Sequence, residues 1–264
     1  MLLLIKGAGD LASGIAVRLH RAGFSIVMTD LSHPTSIRRT VCFSEAIRHG
    51  TATVEGITAR FAADPNAALR IVQEGDIAVL ADPDALCRPT LQPDVVVDAI
   101  LAKRNLNTTI LDAPVVIAIG PGFTAGSDCH AVVETQRGHD LGRVITNGAA
   151  APNTGIPGNI SGFTTERILR APCDGLFTGK VHIGDIVQKG DTVAVVDGRP
   201  IVALISGVVR GLLPDGTPVF CGMKSGDIDP RCEVRHCFTV SDKARAIGGG
   251  VLEAILMLGK ERIC

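Results

Sequence analysis

The chain has 264 residues, 46% of them hydrophobic, and a formal charge of −1 at neutral pH. That length can bury one large core or two of ordinary size, and the near-neutral balance gives no electrostatic basis for holding nucleic acid or a membrane surface. Trp and Tyr are absent and aromatic residues reach only 3%, which argues against a platform for stacking bases.

The apolar run Leu2-Leu3-Leu4-Ile5 predicts a buried strand that leads straight into Lys6-Gly7-Ala8-Gly9-Asp10-Leu11-Ala12-Ser13-Gly14. Residues 1–5 are too few for a signal or membrane segment, so the protein is expected in the cytoplasm. In a strand-turn-helix, Gly7 permits the tight turn and Gly9 lets a phosphate approach the backbone. Ala12 or Gly14 lets the helix over residues 11–21 pack closely on the sheet. The helix N-terminus suits an anion, and Asp10 fits there only as the capping residue. Residues 24–29 predict a second strand ending at Asp30, about where an acid would bind a ribose hydroxyl.

Beyond Asp30, residues 31–36 predict a loop that enters a helix, with Ser32 or Thr35 as the cap, Ile37, Val41 and Ile47 on its buried face and Gly50 as its stop. Strand character follows over 51–61, a short helix opens at Asp64-Pro65, and further buried strands are expected over 76–81, 94–100 and 115–119. Apolar runs without alternation, separated by helical segments, imply a Rossmann-like parallel sheet covered on both faces. Ligands of such sheets bind at the carboxyl ends of the strands. Asp82 and Asp84, Asp98 with Lys103 and Asn105, and the second glycine turn Gly120-Pro121-Gly122-Phe123 all occupy such ends. A dense polar cluster follows, with a short strand over 132–134 placing His130 and Glu134 on one face. Arg137 in the next loop suits a phosphate or carboxylate, and His139 or His130 suits proton transfer.

Residues 147–162 have linker composition. Within 171–228 two halves align, Gly175, Gly184 and Gly190 falling in step with Gly207, Gly216 and Gly222, and Val187 with Val219. This rhythm of short strands and turns is that of a small all-β barrel-sandwich module of the biotinyl or lipoyl kind. Its hairpin tip, Asp197-Gly198-Arg199-Pro200, has no lysine to modify, so a swinging-arm carrier is not expected. Ser241 or Asp242 caps a last helix with Ile247, Val251, Ile255 and Leu258 at helical spacing, and close backbone packing is expected to compensate for Gly248-Gly249-Gly250.

The expected fold is therefore α/β: a Rossmann-like nucleotide- or cofactor-binding domain over 1–165, a barrel-sandwich-like β module over 166–235, and a C-terminal helix over 236–264 packing back on the first domain. The cysteines at 42, 87, 129, 173, 221, 232, 237 and 264 form no CxxC pair and read as buried free thiols, and no metal site is announced.

Residues 6–14, Asp98-Ala99-Ile100-Leu101-Ala102-Lys103-Arg104-Asn105, Gly120-Pro121-Gly122-Phe123, Glu134-Thr135-Gln136-Arg137-Gly138-His139, 224–231 and 241–250 occur in an order that resembles the YqeB-type accessory proteins of selenium-dependent molybdenum hydroxylases. The resemblance covers nearly the whole chain. It implies a maturation protein whose first domain is similar to that of XdhC-type factors, binding molybdopterin cofactor or its dinucleotide form for modification or delivery to a molybdenum hydroxylase client. It brings no assigned catalytic residues, and no activating environment is visible for Cys87, Cys129 or Cys221 as carriers of sulfur or selenium. The cofactor-binding set is Gly7, Gly9, Asp10, Ala12, Ser13, Gly14, Asp30, Lys103, Asn105, Gly120, Gly122, Arg137 and His139. The same glycine turn and Asp30 also suit an NAD(P)-dependent oxidoreductase, whose acid–base group would have to be His130 or His139 with Lys103. A scaffold that binds nothing is the third alternative, and a homodimer the default assembly.

Overall fold

The structure is a computed structural model that describes residues 1–262, which fall into two compact units. The first contains Met1–Pro34, Cys42–Asn153 and the chain from Val240 onward; the second contains Thr35–Val41 and Thr154–Thr239. The boundary thus falls at 153/154 and not at 165/166, and residues 236–239 group with the β unit.

The first unit is built on a nine-stranded sheet. Its strands in chain order are Leu2–Lys6 (β1), Ser25–Asp30 (β2), Thr51–Val54 (β3), Ile57–Ala62 (β4), Ile77–Ala81 (β5), Val95–Asp98 (β6) and Val115–Ile119 (β7), and then, after the short Thr124–Ala125 (β8), Ala131–Val133 (β9) and Val144–Ile145 (β10). Gly148–Ala149 (β11) pairs with β8 in a separate ribbon. The spatial order is β10-β9-β7-β6-β1-β2-β5-β4-β3, and all but the two outer strands run parallel. Leu3, Leu4 and Ile5 have no exposed surface, nor do Val95, Val97, Val115 and Ile117, as strands covered on both faces require. β2 lies on one side of β1 and β6 on the other. The chain therefore reverses direction across the sheet at β1 and β6, which opens a crevice at their carboxyl ends.

The helices are Asp10–Arg21 (α1), Glu45–His49 (α2), Pro65–Gln73 (α3), Arg88–Leu91 (α4) and Asp242–Arg262 (α5). α3 begins as its sequence dictates: Pro65 opens it, and the Asp64 carboxylate accepts the Ala67 N–H at 2.8 Å. α1 and α5 lie side by side in the same direction. A methyl group added at Gly14 would sit 2.5 Å from Ala244 Cβ, and Gly248 and Gly249 lie against the Arg18 side chain. Gly14 therefore serves the contact with α5 and not, as expected, a contact with the sheet. The glycines of α5 are explained in the same way, since an added Cβ at Gly250 would strike the Gly142 carbonyl.

The continuous helix expected between the 31–36 loop and Gly50 does not form. A single 3-10 turn at Arg39–Val41 and the short α2 replace it. The reason is tertiary: residues 35–41 are drawn into the second unit, where the Ile37 carbonyl accepts the Leu212 N–H at 2.8 Å and Ile37 packs on that unit's core. Extended pairing satisfies backbone groups that a helix would otherwise satisfy internally.

The second unit is all-β, with Ile168–Arg170 (β12), Gly175–Gly179 (β13), Ile186–Val187 (β14), Thr192–Val196 (β15), Arg199–Val202 (β16), Gly207–Leu212 (β17), Pro218–Val219 (β18) and Lys224–Asp229 (β19). They form two four-stranded sheets, β12-β19-β17-β14 and β16-β15-β13-β18. The duplication seen in the glycines is visible in the pairing. β13, β14 and β15 recur at a constant offset as β17, β18 and β19, and each half lends its short second strand to the first strand of the other. The β15–β16 hairpin turns at Asp197-Gly198, both with positive φ, as a two-residue turn requires.

Candidate functional site

Of the sequence-predicted site residues of the first unit, Gly7, Asp30, Asn105 and Gly122 are tied by contacts to the turn after β1 or the loop after β6. Gly7 has a φ of +96°, and an added Cβ would lie 2.9 Å from the Ala99 carbonyl oxygen. Its lack of a side chain is thus required by the loop after β6. Gly9 caps α1 in ordinary extended geometry, φ −74° and ψ −172°, and no side chain caps the helix. Asp10 is the first helical residue and not the cap, placing its carboxylate at the positive end of the helix dipole. Gly9 itself brings no side chain to cap the first-turn amides of α1.

Asp30 closes the turn from β2. Its Oδ2 accepts the Ala8 N–H at 2.9 Å and its Oδ1 the Leu31 N–H at 2.8 Å. Burial pushes its carboxyl above the usual carboxylate range, against the lowering effect of these two amides. Ser13 is fully buried. Its hydroxyl donates to the Ala8 carbonyl at 3.0 Å and accepts the Phe43 N–H at 2.8 Å, which ties the turn to residues 42–45. Ala12 and Gly14 are buried as well, so of the predicted set in this turn only Gly7, Gly9 and Asp10 lie toward the open edge.

Directly beneath the turn, Asp98, marked in the sequence as a strand-end residue, meets a lysine to which sequence reasoning gave no role. Lys6, the last residue of β1, is 2% exposed, and its partner across the parallel pair is Asp98, also 2% exposed. The Lys6 ammonium donates to Asn107 Oδ1 and, at 2.6 Å, to Thr108 Oγ1, and stands 3.6 Å from Asp98 Oδ2. Thr108 in turn donates to the same Asp98 oxygen at 2.5 Å. A lysine this buried requires such a set of partners. The available signal was a charged residue at the end of an otherwise apolar strand. Lys6 also lines a cavity of about 210 Å³, together with Leu4, Asp84, Arg88, Val96, Asn107 and Asp112.

The second glycine turn is bound to the loop after β6. Gly122 has a φ of +106°, and a Cβ there would meet the Arg104 backbone at 2.6 Å; the Gly122 carbonyl accepts the Asn105 N–H. Asn105 itself brackets Thr108, its side chain both accepting from and donating to that residue's backbone. Lys103 is exposed with a positive φ. Gly120 packs on the Thr135 side chain. Glu134 is buried and acts as a backbone clamp: one oxygen accepts the amides of Thr135 and Gln136, the other that of Ala151.

Arg137 is not left waiting for an anion. Its guanidinium makes a two-pronged contact with Asp242 at 2.6 and 2.9 Å, at the first turn of α5. His139 stands exposed on the same loop. His130 is turned inward, its Nδ1 accepting the Val116 N–H at 2.9 Å, so that nitrogen is held as an acceptor. Next to Asp242, Lys243 is half-buried. Burial and the Arg137 charge lower its ammonium from the ordinary lysine range, with Asp10, Glu134 and Asp242 opposing. The glycine turn, the Glu134 loop and the start of α5 therefore share one electrostatic neighbourhood.

The thiols divide sharply. Burial, with Asp82 beside one and Asp128 beside the other, pushes Cys87 and Cys129 up to about 12. Cys221 and Cys232 are exposed and Cys173 is half-buried, so the expectation of buried thiols throughout is corrected; position 264 lies outside the described residues. Since the thiolate is the reactive species, brief alkylation of the native protein is expected to modify Cys221 and Cys232 and to spare Cys87 and Cys129 until unfolding. Peptide mapping by mass spectrometry reads this directly, and labelling of Cys87 at the native rate of Cys221 would contradict it. Among the described residues no three His, Cys, Asp or Glu side chains are grouped to hold a metal ion. Nor is any helix among them long and apolar enough to cross a membrane.

No family model matches the chain. Over 257 residues, 97% of this chain, it is 54% identical to the uncharacterized protein YqeB of Escherichia coli strain K12. The resemblance is to a YqeB-type protein. The chain spans 48% of the length of that YqeB, about half of it. Among solved structures, an aspartoacylase family protein of Mesorhizobium loti is 12% identical with a TM-score of 0.30, covering 86% of this chain and 84% of that one. A succinylglutamate desuccinylase/aspartoacylase of Rhodobacter sphaeroides is 16% identical with a TM-score of 0.28 over the same shares. Likenesses of that size carry no functional argument.

Proposed function

We propose that this chain is an accessory protein for the maturation of a selenium-dependent molybdenum hydroxylase, and that its Rossmann-like first unit binds a nucleotide-type or molybdopterin cofactor for modification or delivery. The observation that carries this reading is the glycine turn at the reversal point of the parallel sheet, where α1 starts from Gly9, which brings no capping side chain. Such a turn receives the phosphates of a dinucleotide. The second unit, read as a barrel-sandwich hybrid from its exchanged half-repeats, has no lysine at its Asp197-Gly198 tip and is assigned to contact with the client hydroxylase.

Gly9→Val is the discriminating variant, because the backbone of Gly9 already has extended angles that valine adopts without strain. Gly7 is unsuitable, since its positive φ would strain any replacement. At a ligand concentration a hundredfold above its dissociation constant, binding stabilises the native state by about 2.7 kcal/mol. The wild type is expected to show that shift with a molybdopterin dinucleotide, and Gly9→Val is expected to lose it while melting like the wild type without ligand. An undiminished shift in Gly9→Val would remove the turn from the binding site.

A further inference from the structure

The 210 Å³ cavity under Lys6 lies on the face of the sheet opposite to α1, and the glycine turn does not account for it. Apolar residues, among them Leu4, Leu86 and Val96, line it together with the polar side chains of Lys6, Asp84, Arg88, Asn107 and Asp112. The volume admits one ring system and not a whole dinucleotide, for which pockets of about 300–1,000 Å³ are usual. A lining that mixes apolar surface with several polar side chains is what a nitrogen heterocycle needs.

The charges decide which heterocycle. Arg88 is already spent on Asp112, which also accepts from Thr109. Lys6 is spent on Asn107, Thr108 and Asp98. The carboxylate left facing the cavity is Asp84, exposed, whose hydrogen bond is a long one of 3.5 Å from the Asn107 amide. Lys6 and Arg88 against Asp84, Asp98 and Asp112 leave the neighbourhood one unit negative. A phosphate is disfavoured there, and a donor-bearing ligand is favoured. Leu86 is 77% exposed at the cavity and can cover a ring face.

From these features we infer that the cavity is a subsite for an amino-substituted nitrogen heterocycle, of the kind found in cytosine, guanine and pterins. Its exocyclic amine donates to Asp84, and its ring carbonyl faces the Asn107 amide and the Lys6 end of the cavity. This rests on the proposed cofactor-binding role and assigns its base-recognition end.

The test is titration calorimetry of the full chain with cytidine, guanosine and pterin, none carrying a phosphate, and separately with inorganic pyrophosphate. At least one of the three heterocycles is expected to bind the wild type. Asp84→Asn removes the charge from an exposed side chain with one weak partner, so the fold is kept, and it is expected to weaken that binding at least tenfold. If none of the three binds the wild type, or if Asp84→Asn binds as the wild type does, the subsite is overturned. Pyrophosphate binding that persists in that case leaves the phosphate turn standing. Heterocycle binding without pyrophosphate binding supports the subsite and counts against the turn. Which heterocycle binds separates a nucleotide source from a pterin source.

Discussion

Replacing Asp98 with alanine is expected to destabilise the first unit by about 3–5 kcal/mol, because it strands the Lys6 ammonium in a site where it is 3% exposed. Thr108 loses its acceptor in the same step. Against a total stability of about 5–15 kcal/mol for an ordinary domain, that is a large share. The double variant Lys6→Met/Asp98→Leu, which removes both charges and keeps the volume apolar, is expected to recover most of the loss, since a buried pair is worth little over a well-packed apolar replacement. Urea unfolding monitored on both variants reads the difference. A loss under about 1 kcal/mol for Asp98→Ala would mean that Lys6 is not held as a buried ammonium.

Gly14→Leu is expected to be the other severe substitution, through a different mechanism. The added Cβ alone would stand 2.5 Å from Ala244 Cβ and 2.9 Å from Val240 Cγ1, and leucine brings three further carbons into that seam. Gly14→Ala should cost about 1–3 kcal/mol as simple overpacking, and leucine more than that. Gly23 is the control: nothing lies within 4 Å of an added Cβ there, so Gly23→Ala carries only the strain of its φ of +89°. Thermal unfolding in which Gly14→Leu melts with Gly23→Ala would contradict the direct α1–α5 contact. The seam also bears on the site, because it holds the starts of two helices, with Asp10 and Lys243, at one edge of the sheet.

The parts of this fold that were legible in the sequence are those decided locally. β1, β5, β6 and β7 are continuous apolar runs because both faces are covered, and α3 announces itself through Asp64-Pro65. The internal repeat was legible because turn glycines must recur where the strands do; the exchange of β14 and β18 between the halves was not, since strand partners at long range leave no mark on local pattern. Residues 35–41 misled because Ile37 and Val41 suit a helix by spacing, while the Ile37 carbonyl is claimed by Leu212 of a distant strand and the Val41 amide closes a local turn on the Arg38 carbonyl. The same limit applies to the candidate site. The glycine turn and Asp30 stand out by spacing, but that Asp30 holds the Ala8 amide, that Arg137 is paired with Asp242, and that Lys6 is buried on Asp98, Asn107 and Thr108 depends on residues brought together from 22 to 105 positions apart.

The measurement that bears most directly on the proposed role is ligand-dependent thermal stabilisation under anaerobic conditions, comparing NAD, NADP, ATP, CTP and molybdopterin cytosine dinucleotide. At a hundredfold excess over the dissociation constant a true ligand adds about 2.7 kcal/mol, a shift of several degrees for a domain of this size. The account predicts a shift with the molybdopterin dinucleotide that exceeds any shift with NAD or NADP. A shift with NAD or NADP alone would contradict the maturation role and make the chain an oxidoreductase candidate, and no shift with any of the five would contradict ligand binding at the glycine turn itself.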